Sequence, residues 1–136
     1  MDRDSVATPL YIKEALEREF NTTFCEPCPL NPHWTIDGLS IPWKPFTFVN
    51  PPYSNVRPWL EKAAREHKLG NTVILLLKTE TVCRRYFKQF EGVELRFINH
   101  RIKFPLYPLP ARFSSMLVVF RTQKVGYSIV DYRVVT

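Results

Sequence analysis

Val73-Ile74-Leu75-Leu76-Leu77 is apolar at every position, and this run constrains the fold more than any other part of the chain. A strand with one wetted face alternates apolar and polar side chains, whereas a continuous run needs cover on both faces. The segment therefore predicts a strand inside a sheet with helices packed on either side. Helical candidates flank it. Leu10–Phe20 repeats Tyr11, Ile12, Ala15, Leu16 and Phe20 at helical spacing behind Thr8-Pro9. Residues 56–68 carry Trp59, Leu60, Ala63 and Ala64 in one stripe, with Pro58 in the first turn and Gly70 just past the end.

The remaining segments complete the layer pattern. Residues 22–25 are β-prone up to the break at Glu26-Pro27-Cys28-Pro29, and the prolines from Pro27 to Pro42 leave little room for regular structure in the connection. Phe46-Thr47-Phe48-Val49 is a second apolar strand. Residues 81–90 read as a helix, with Val82, Tyr86, Phe87 and Phe90 on one side and Arg84, Arg85 and Lys88 on another. Residues 93–98 alternate apolar and polar side chains, as does much of the stretch to Phe104. A loop follows at Pro105, Pro108 and Pro110, and residues 115–121 are a further strand. The order strand, strand, helix, strand, helix, strand, strand favours a three-layer α/β sheet with antiparallel pairing towards its C-terminal edge. The last ten residues, including Ile129, Val130 and Val134, are a candidate edge strand.

A chain of 136 residues suits one domain, residues 1–136. No segment approaches the roughly 20 apolar residues of a membrane span, and Met-Asp-Arg-Asp at the start is not a signal peptide, so the expected compartment is intracellular. The odd set Cys25, Cys28 and Cys83 argues against a disulfide framework. Cys25-x-x-Cys28 lacks a second ligand pair at zinc spacing, since Cys83, His33, His67 and His100 stand at unrelated distances, so no metal is expected. The net charge of +6, from 19 basic and 13 acidic residues, suits a polyanionic partner and equally a solvated basic surface.

Asn50-Pro51-Pro52-Tyr53 follows the strand at Phe46–Val49 directly, and ligands of open α/β sheets bind beyond the carboxyl ends of the strands. An Asn oxygen and the carbonyl of the following Pro can both accept from one exocyclic NH2 group and hold its lone pair away from the ring plane. Pro fixes φ and brings no competing N–H, and Tyr53 can stack on a planar base. The alternative is an ordinary proline-rich turn.

The sequence also resembles the phage-type DNA N6-adenine methyltransferases, a family of S-adenosylmethionine-dependent amino-methyltransferases. Thr8-Pro9, Glu26-Pro27-Cys28, Asp37-Gly38-Leu39 with Trp43, and Phe48-Val49 leading into Asn50-Pro51-Pro52-Tyr53-Ser54-Asn55 carry the resemblance. So do Val73 to Leu77, Arg96-Phe97-Ile98 with Arg101-Ile102-Lys103-Phe104, and Ser115-Met116-Leu117-Val118-Val119-Phe120, all in the family's order. The resemblance implies a minimal Rossmann-like class I methyltransferase sheet with helices on both faces. It implies methyl transfer to adenine N6 in double-stranded DNA, with Asn50, Pro51, Pro52 and Tyr53 as the catalytic loop. It also implies a cofactor site at Thr8, Pro9, Glu26, Pro27, Cys28, Asp37 and Asn50, with Thr8 open to the alternative of a plain helix cap. Ser54, Asn55, Arg84, Arg85, Arg101, Lys103 and Arg112 are the candidates for nucleic-acid contacts, against the alternative of scattered surface charge.

The chain departs from the family pattern in having Glu26 where Asp is usual and in lacking Gly-x-Gly. The stretch from Cys28 to Thr47 is too short for two further strand-helix units. No target-recognition domain is evident, so sequence preference would come from loops, a second subunit or a partner protein. Three rival readings stand beside adenine methylation. One is another amine acceptor: cytosine N4, RNA adenine or a protein glutamine. Another is a catalytically silent nucleic-acid-binding module. The third is a subunit active only with its partner. The host compartment would be bacterial cytoplasm for a phage-encoded chain or the nucleus for a eukaryotic one.

Overall fold

The apolar run is buried from Val73 to Leu77 within β2 (Thr72–Lys78), which pairs on both sides. The computed structural model describes residues 7–28, 37–122 and 125–133. On one side β2 lies parallel to β1 (Phe46–Val49), and on the other antiparallel to β4 (Ser115–Phe120). β3 (Glu94–Ile98) then pairs antiparallel with β4 and parallel with β5 (Gly126–Val130), giving a five-stranded sheet in the order β1-β2-β4-β3-β5. Antiparallel pairing is therefore present, but at the centre of the sheet through β4. The pair at the C-terminal edge is parallel, which corrects the sequence expectation. Ile129 and Val130 fall in that edge strand, and Val134 lies outside the described residues.

Two helices cover opposite faces. Ile12 and Leu16 of α1 (Leu10–Phe20) pack with Phe48, Ile74, Leu76, Leu117 and Val119. Trp59, Leu60 and Ala63 of α2 (Arg57–Lys68) pack with Val49, Val73, Leu75, Leu77 and Val118. Successive residues of β2 thus alternate between two apolar cores, as a pleated strand requires. The helix ends follow local chemistry: α1 stops at Asn21 in the left-handed region (φ 51°), and α2 stops before Gly70 at φ +101°.

Elsewhere the structure differs from the sequence reading. Residues 22–25 contribute only a parallel bridge, Cys25 to Thr47, instead of a strand. Residues 81–90 are not one helix but parts of two 3₁₀ turns, Thr79–Cys83 and Arg85–Phe90, interrupted by Arg84 in extended conformation (φ −73°, ψ 142°). No strand continues past Ile98 towards Phe104. In β3 the polar residues are the more deeply buried: Glu94 and Arg96 are 2% and 5% exposed, while Leu95 and Phe97, packed against the core under α2, are half-buried.

That inversion is sustained by an ionic network. Arg96 Nε donates to Glu94 Oε2 at 2.8 Å, and its two Nη atoms donate to Glu19 on α1 at 2.6 and 2.7 Å. Tyr132 OH accepts at 3.1 Å, and Arg121 Nε stands 3.0 Å from Glu94 Oε1. Burial alone would lower the Arg96 pKa, but the hydrogen bonds to Glu19, Glu94 and Tyr132 outweigh it and raise the value.

A second buried carboxylate fixes the end of α2. Glu66 is 4% exposed and accepts from the Trp43 backbone N–H at 3.1 Å, Lys62 Nζ at 3.0 Å and Asn71 Nδ2 at 3.0 Å. Burial, the largest single influence, raises its pKa, yet these donors together bring it below the ordinary value. A carboxylate with a depressed folded pKa contributes stability that is complete above its unfolded pKa and is lost as pH falls through the folded one. We expect Glu66→Gln to cost about 1–3 kcal/mol near neutrality. The deficit relative to wild type should shrink as pH falls below the ordinary glutamate range in urea titrations. A deficit unchanged by pH would show that the charge of Glu66 is not what stabilises this corner.

Candidate active site

The loops after Cys25 and after β1 leave the sheet side by side, because Cys25 bridges Thr47 in parallel. Backbone hydrogen bonds from Cys25 N to Phe46 O at 3.0 Å and from Phe48 N to Cys25 O at 2.8 Å fix this register. Glu26-Pro27-Cys28 and Asn50-Pro51-Pro52-Tyr53 therefore share one edge of the sheet. β4 runs the other way, with Lys78 opposite Ser115, so the residues preceding it, Phe113 and Ser114, reach the same edge. Thr79 N–H donates to Ser114 O at 2.9 Å and holds them there.

The N-terminus of α1 meets this edge. The helix cap is Pro9, which is buried, and among the described residues no side chain caps the helix. The Thr8 hydroxyl instead accepts from Asn50 Nδ2 at 3.1 Å, so its role as a plain N-cap is excluded. One turn on, Lys13 Nζ pairs with the Glu26 carboxylate. These two contacts tie α1 to both loops.

Asp37 is brought in by a close backbone approach. A Cβ on Gly38 would stand 2.0 Å from the Pro27 carbonyl oxygen, so only glycine lets the two loops touch. Gly38 O accepts from Trp43 Nε1 at 2.8 Å, and Trp43 stacks on Trp59 of α2 with centroids 6.2 Å apart. The Asp37 carboxylate is exposed and accepts from Leu39 N–H at 3.0 Å and Ser40 Oγ at 2.9 Å; the Leu39 bond, then the Ser40 bond, lowers its pKa. Cys28 is half-buried beside the α2 core, and burial raises its thiol pKa, away from reactivity.

Pro51 is buried, and Pro52 leads into a 3₁₀ turn, Tyr53–Asn55. The Tyr53 ring meets Phe113 edge to face at 5.5 Å (82°). Lys78 Nζ lies over both rings, 5.4 Å from the Tyr53 centroid and 4.7 Å from that of Phe113. The Tyr53 hydroxyl is buried and has no hydrogen-bond partner among the described residues, and burial raises its pKa. Beside it opens a cleft of about 300 Å³ whose walls include Tyr53, Ser54, Asn55, Arg57, Lys78 and Arg84.

The sequence-predicted residues thus separate into groups. Thr8 with Asn50, and Glu26 and Pro27 with Asp37 through Gly38, are drawn together. Ser54, Asn55 and Arg84 share the cleft. Arg101 and Arg112 are joined by a 2.5 Å bond from Arg101 Nη1 to Arg112 O, whereas Arg85 and Lys103 are simply exposed. Lys13, Arg57, Lys78 and Phe113 were missed. Their signal was positional: a lysine one turn into a helix, an arginine opening another, a lysine ending the apolar strand, and a phenylalanine just ahead of β4. Cys25, Cys28 and Cys83 are free thiols, and His33 lies outside the described residues. Among the described residues, no helix is long and apolar enough to cross a membrane.

Strand-end loops carrying carboxylates, an amide and a tyrosine thus meet at one edge of a mixed α/β sheet, the place where open α/β sheets bind their ligands. A family model described as DNA N-6-adenine-methyltransferase (Dam) matches residues 1–132, and the chain belongs to that family. Searches of curated proteins and of solved structures return no significant match.

Proposed function

We propose that the protein transfers a methyl group from S-adenosylmethionine to the N6 amine of adenine in double-stranded DNA. The sheet acts as a minimal Rossmann-like methyltransferase unit spanning residues 1–136. The observation that carries this reading is the Asn50 amide, oriented by Thr8 at the end of β1 in a chain of this family. The donor set fits the cofactor: Glu26 and Asp37 are partly or fully exposed carboxylates with acceptor capacity beyond their present partners, suited to an ammonium and to hydroxyls. Thr8, Pro9, Glu26, Pro27, Cys28, Asp37 and Asn50 would surround it. Bound there, S-adenosylmethionine supplies the electrophilic methyl group.

The chain's own residues position the acceptor. With Nδ2 directed to Thr8, Asn50 presents Oδ1 to the adenine amine, and the Pro51 carbonyl accepts its second hydrogen. Both bonds keep the nitrogen lone pair out of conjugation and aimed at the methyl carbon. A base inside a duplex cannot reach this edge, so it is flipped out, and stacking on Tyr53 offsets part of that cost. Ser54, Asn55, Arg84, Arg85, Arg101, Lys103 and Arg112 contact the DNA strands. Site preference comes from loops, a second copy or a partner protein.

The test incubates methyl-labelled S-adenosylmethionine with protein and mixed DNA, then identifies methylated nucleosides. N6-methyladenine is the expected product. Label on cytosine, on RNA or on protein alone would overturn the choice of acceptor, and absence of both label and cofactor binding would overturn the reading entirely. Tyr53→Ala should raise the KM for DNA roughly tenfold, since a base–aromatic stack is worth about 1–3 kcal/mol. Gly38→Ala should weaken S-adenosylmethionine binding by about tenfold or more, because the added methyl pushes the Asp37 loop off Pro27. Calorimetry showing unchanged affinity in that variant would remove Asp37 from the cofactor site.

A further inference from the structure

Lys78 is a half-buried cation at the end of β2, yet among the described residues no carboxylate pairs with it, and its ammonium faces the rings of Tyr53 and Phe113. It lines the cleft beside Tyr53 together with Arg57 and Arg84, and the carboxylate in that lining is Glu80. The two arginines are committed only weakly: Arg57, itself exposed, has Nε 3.4 Å from half-buried Glu61, and Arg84 Nη2 is 3.9 Å from exposed Glu80. α2 begins at Arg57 in this cleft with no acidic residue in its first turn and no side-chain cap. Asn55 and Thr81 add an amide and a hydroxyl to the walls. Three cations, neutral donors and a surplus of positive charge describe a site for a compact anion, here next to the tyrosine that would hold a base.

We propose that this cleft is a phosphodiester subsite and that Lys78 is its central cation. The inference rests on the proposed action on DNA and identifies which strand element the cleft takes: the backbone phosphate beside the flipped nucleotide. Tyr53 and Phe113 hold the ammonium against their ring faces in the wall of the cleft, where it can turn to a phosphate oxygen without leaving the site. Positioning of the base and neutralisation of the adjoining phosphate are thus coupled through one side chain.

The test measures duplex-DNA affinity across a salt series for wild type, Lys78→Met, Lys78→Arg and Arg84→Gln, with Lys88→Met as control. Lys88 lines a different, apolar cleft near β5. Lys78→Met should lose roughly 3–10-fold in affinity at low salt, independently of sequence, and its log–log salt slope should flatten by about one unit. Lys78→Arg should restore the slope, Arg84→Gln on the exposed rim should flatten it alone, and Lys88→Met should leave it unchanged. S-adenosylmethionine affinity should be unaffected throughout. Wild type that binds and methylates DNA while Lys78→Met and Arg84→Gln keep the full slope would overturn the subsite and leave the proposed function standing. Wild type that binds no DNA would overturn both.

Discussion

Asn50→Ala is expected to lower the methyl-transfer rate by about 100- to 1000-fold or more, the scale on which removal of one positioned hydrogen-bonding group acts on a reaction step. S-adenosylmethionine affinity should change by only about twofold. The asymmetry follows from the proposed roles, in which the amide would contact the acceptor amine and Glu26 and Asp37 would meet the cofactor's charged groups. Since Asn50 Nδ2 also donates to Thr8 Oγ1, part of any loss could come from loosening the start of α1. Thr8→Val separates the two effects. It keeps the shape and removes the hydroxyl, and it should cost no more than about tenfold in rate, a single neutral hydrogen bond being worth about 1 kcal/mol. Near-normal turnover in Asn50→Ala would exclude the proposed chemistry.

The second large effect concerns stability. Arg96→Ala should destabilise the fold by about 3–5 kcal/mol, the penalty for stranding one member of a buried ion pair. Glu94, at 2% exposure, would lose the guanidinium that Arg96 holds 2.8 Å from its Oε2. Domains of this kind hold about 5–15 kcal/mol in total, so the variant should unfold at a much lower denaturant concentration. Replacing both charges, as Arg96→Met with Glu94→Leu, should lose much less, because no charge is then left unpaired. Equal losses in the single and double variants would show that packing volume, rather than charge pairing, is what Arg96 supplies.

Both predictions come from residues whose environment was unequally legible in the sequence. The helix at Leu10–Phe20, the strand at Phe46–Val49 and the doubly buried run from Val73 to Leu77 were readable because periodicity and apolar continuity are local properties. The Asn50 loop was readable because it follows such a strand directly. Residues 81–90 carried a helical stripe, but Arg84 takes an extended conformation between the two turns, and Phe87 and Phe90 of the second turn are buried in the core. In β3 the alternating pattern was visible, while its more deeply buried face was set by Glu19 and Arg121, partners distant in sequence. Strand neighbours were beyond reach for the same reason: nothing near residues 115–120 announces that they will divide β2 from β3. Contacts such as Gly38 against Pro27, or Lys78 over Tyr53, depend on that assembled edge and could not be read ahead of it.

The central place of β4 also dictates how the chain can reach its native state. Until residues 115–120 have been made, β2 has a partner on one side only and β3 has none from the segments before it. A nascent chain therefore carries the apolar edge of β2 open from the completion of Lys78 until Ser115–Phe120 is made, and the sheet closes in one late, non-local step. Folding should accordingly be slow for a chain of this length, and its risk of aggregation is greatest just before β4 inserts.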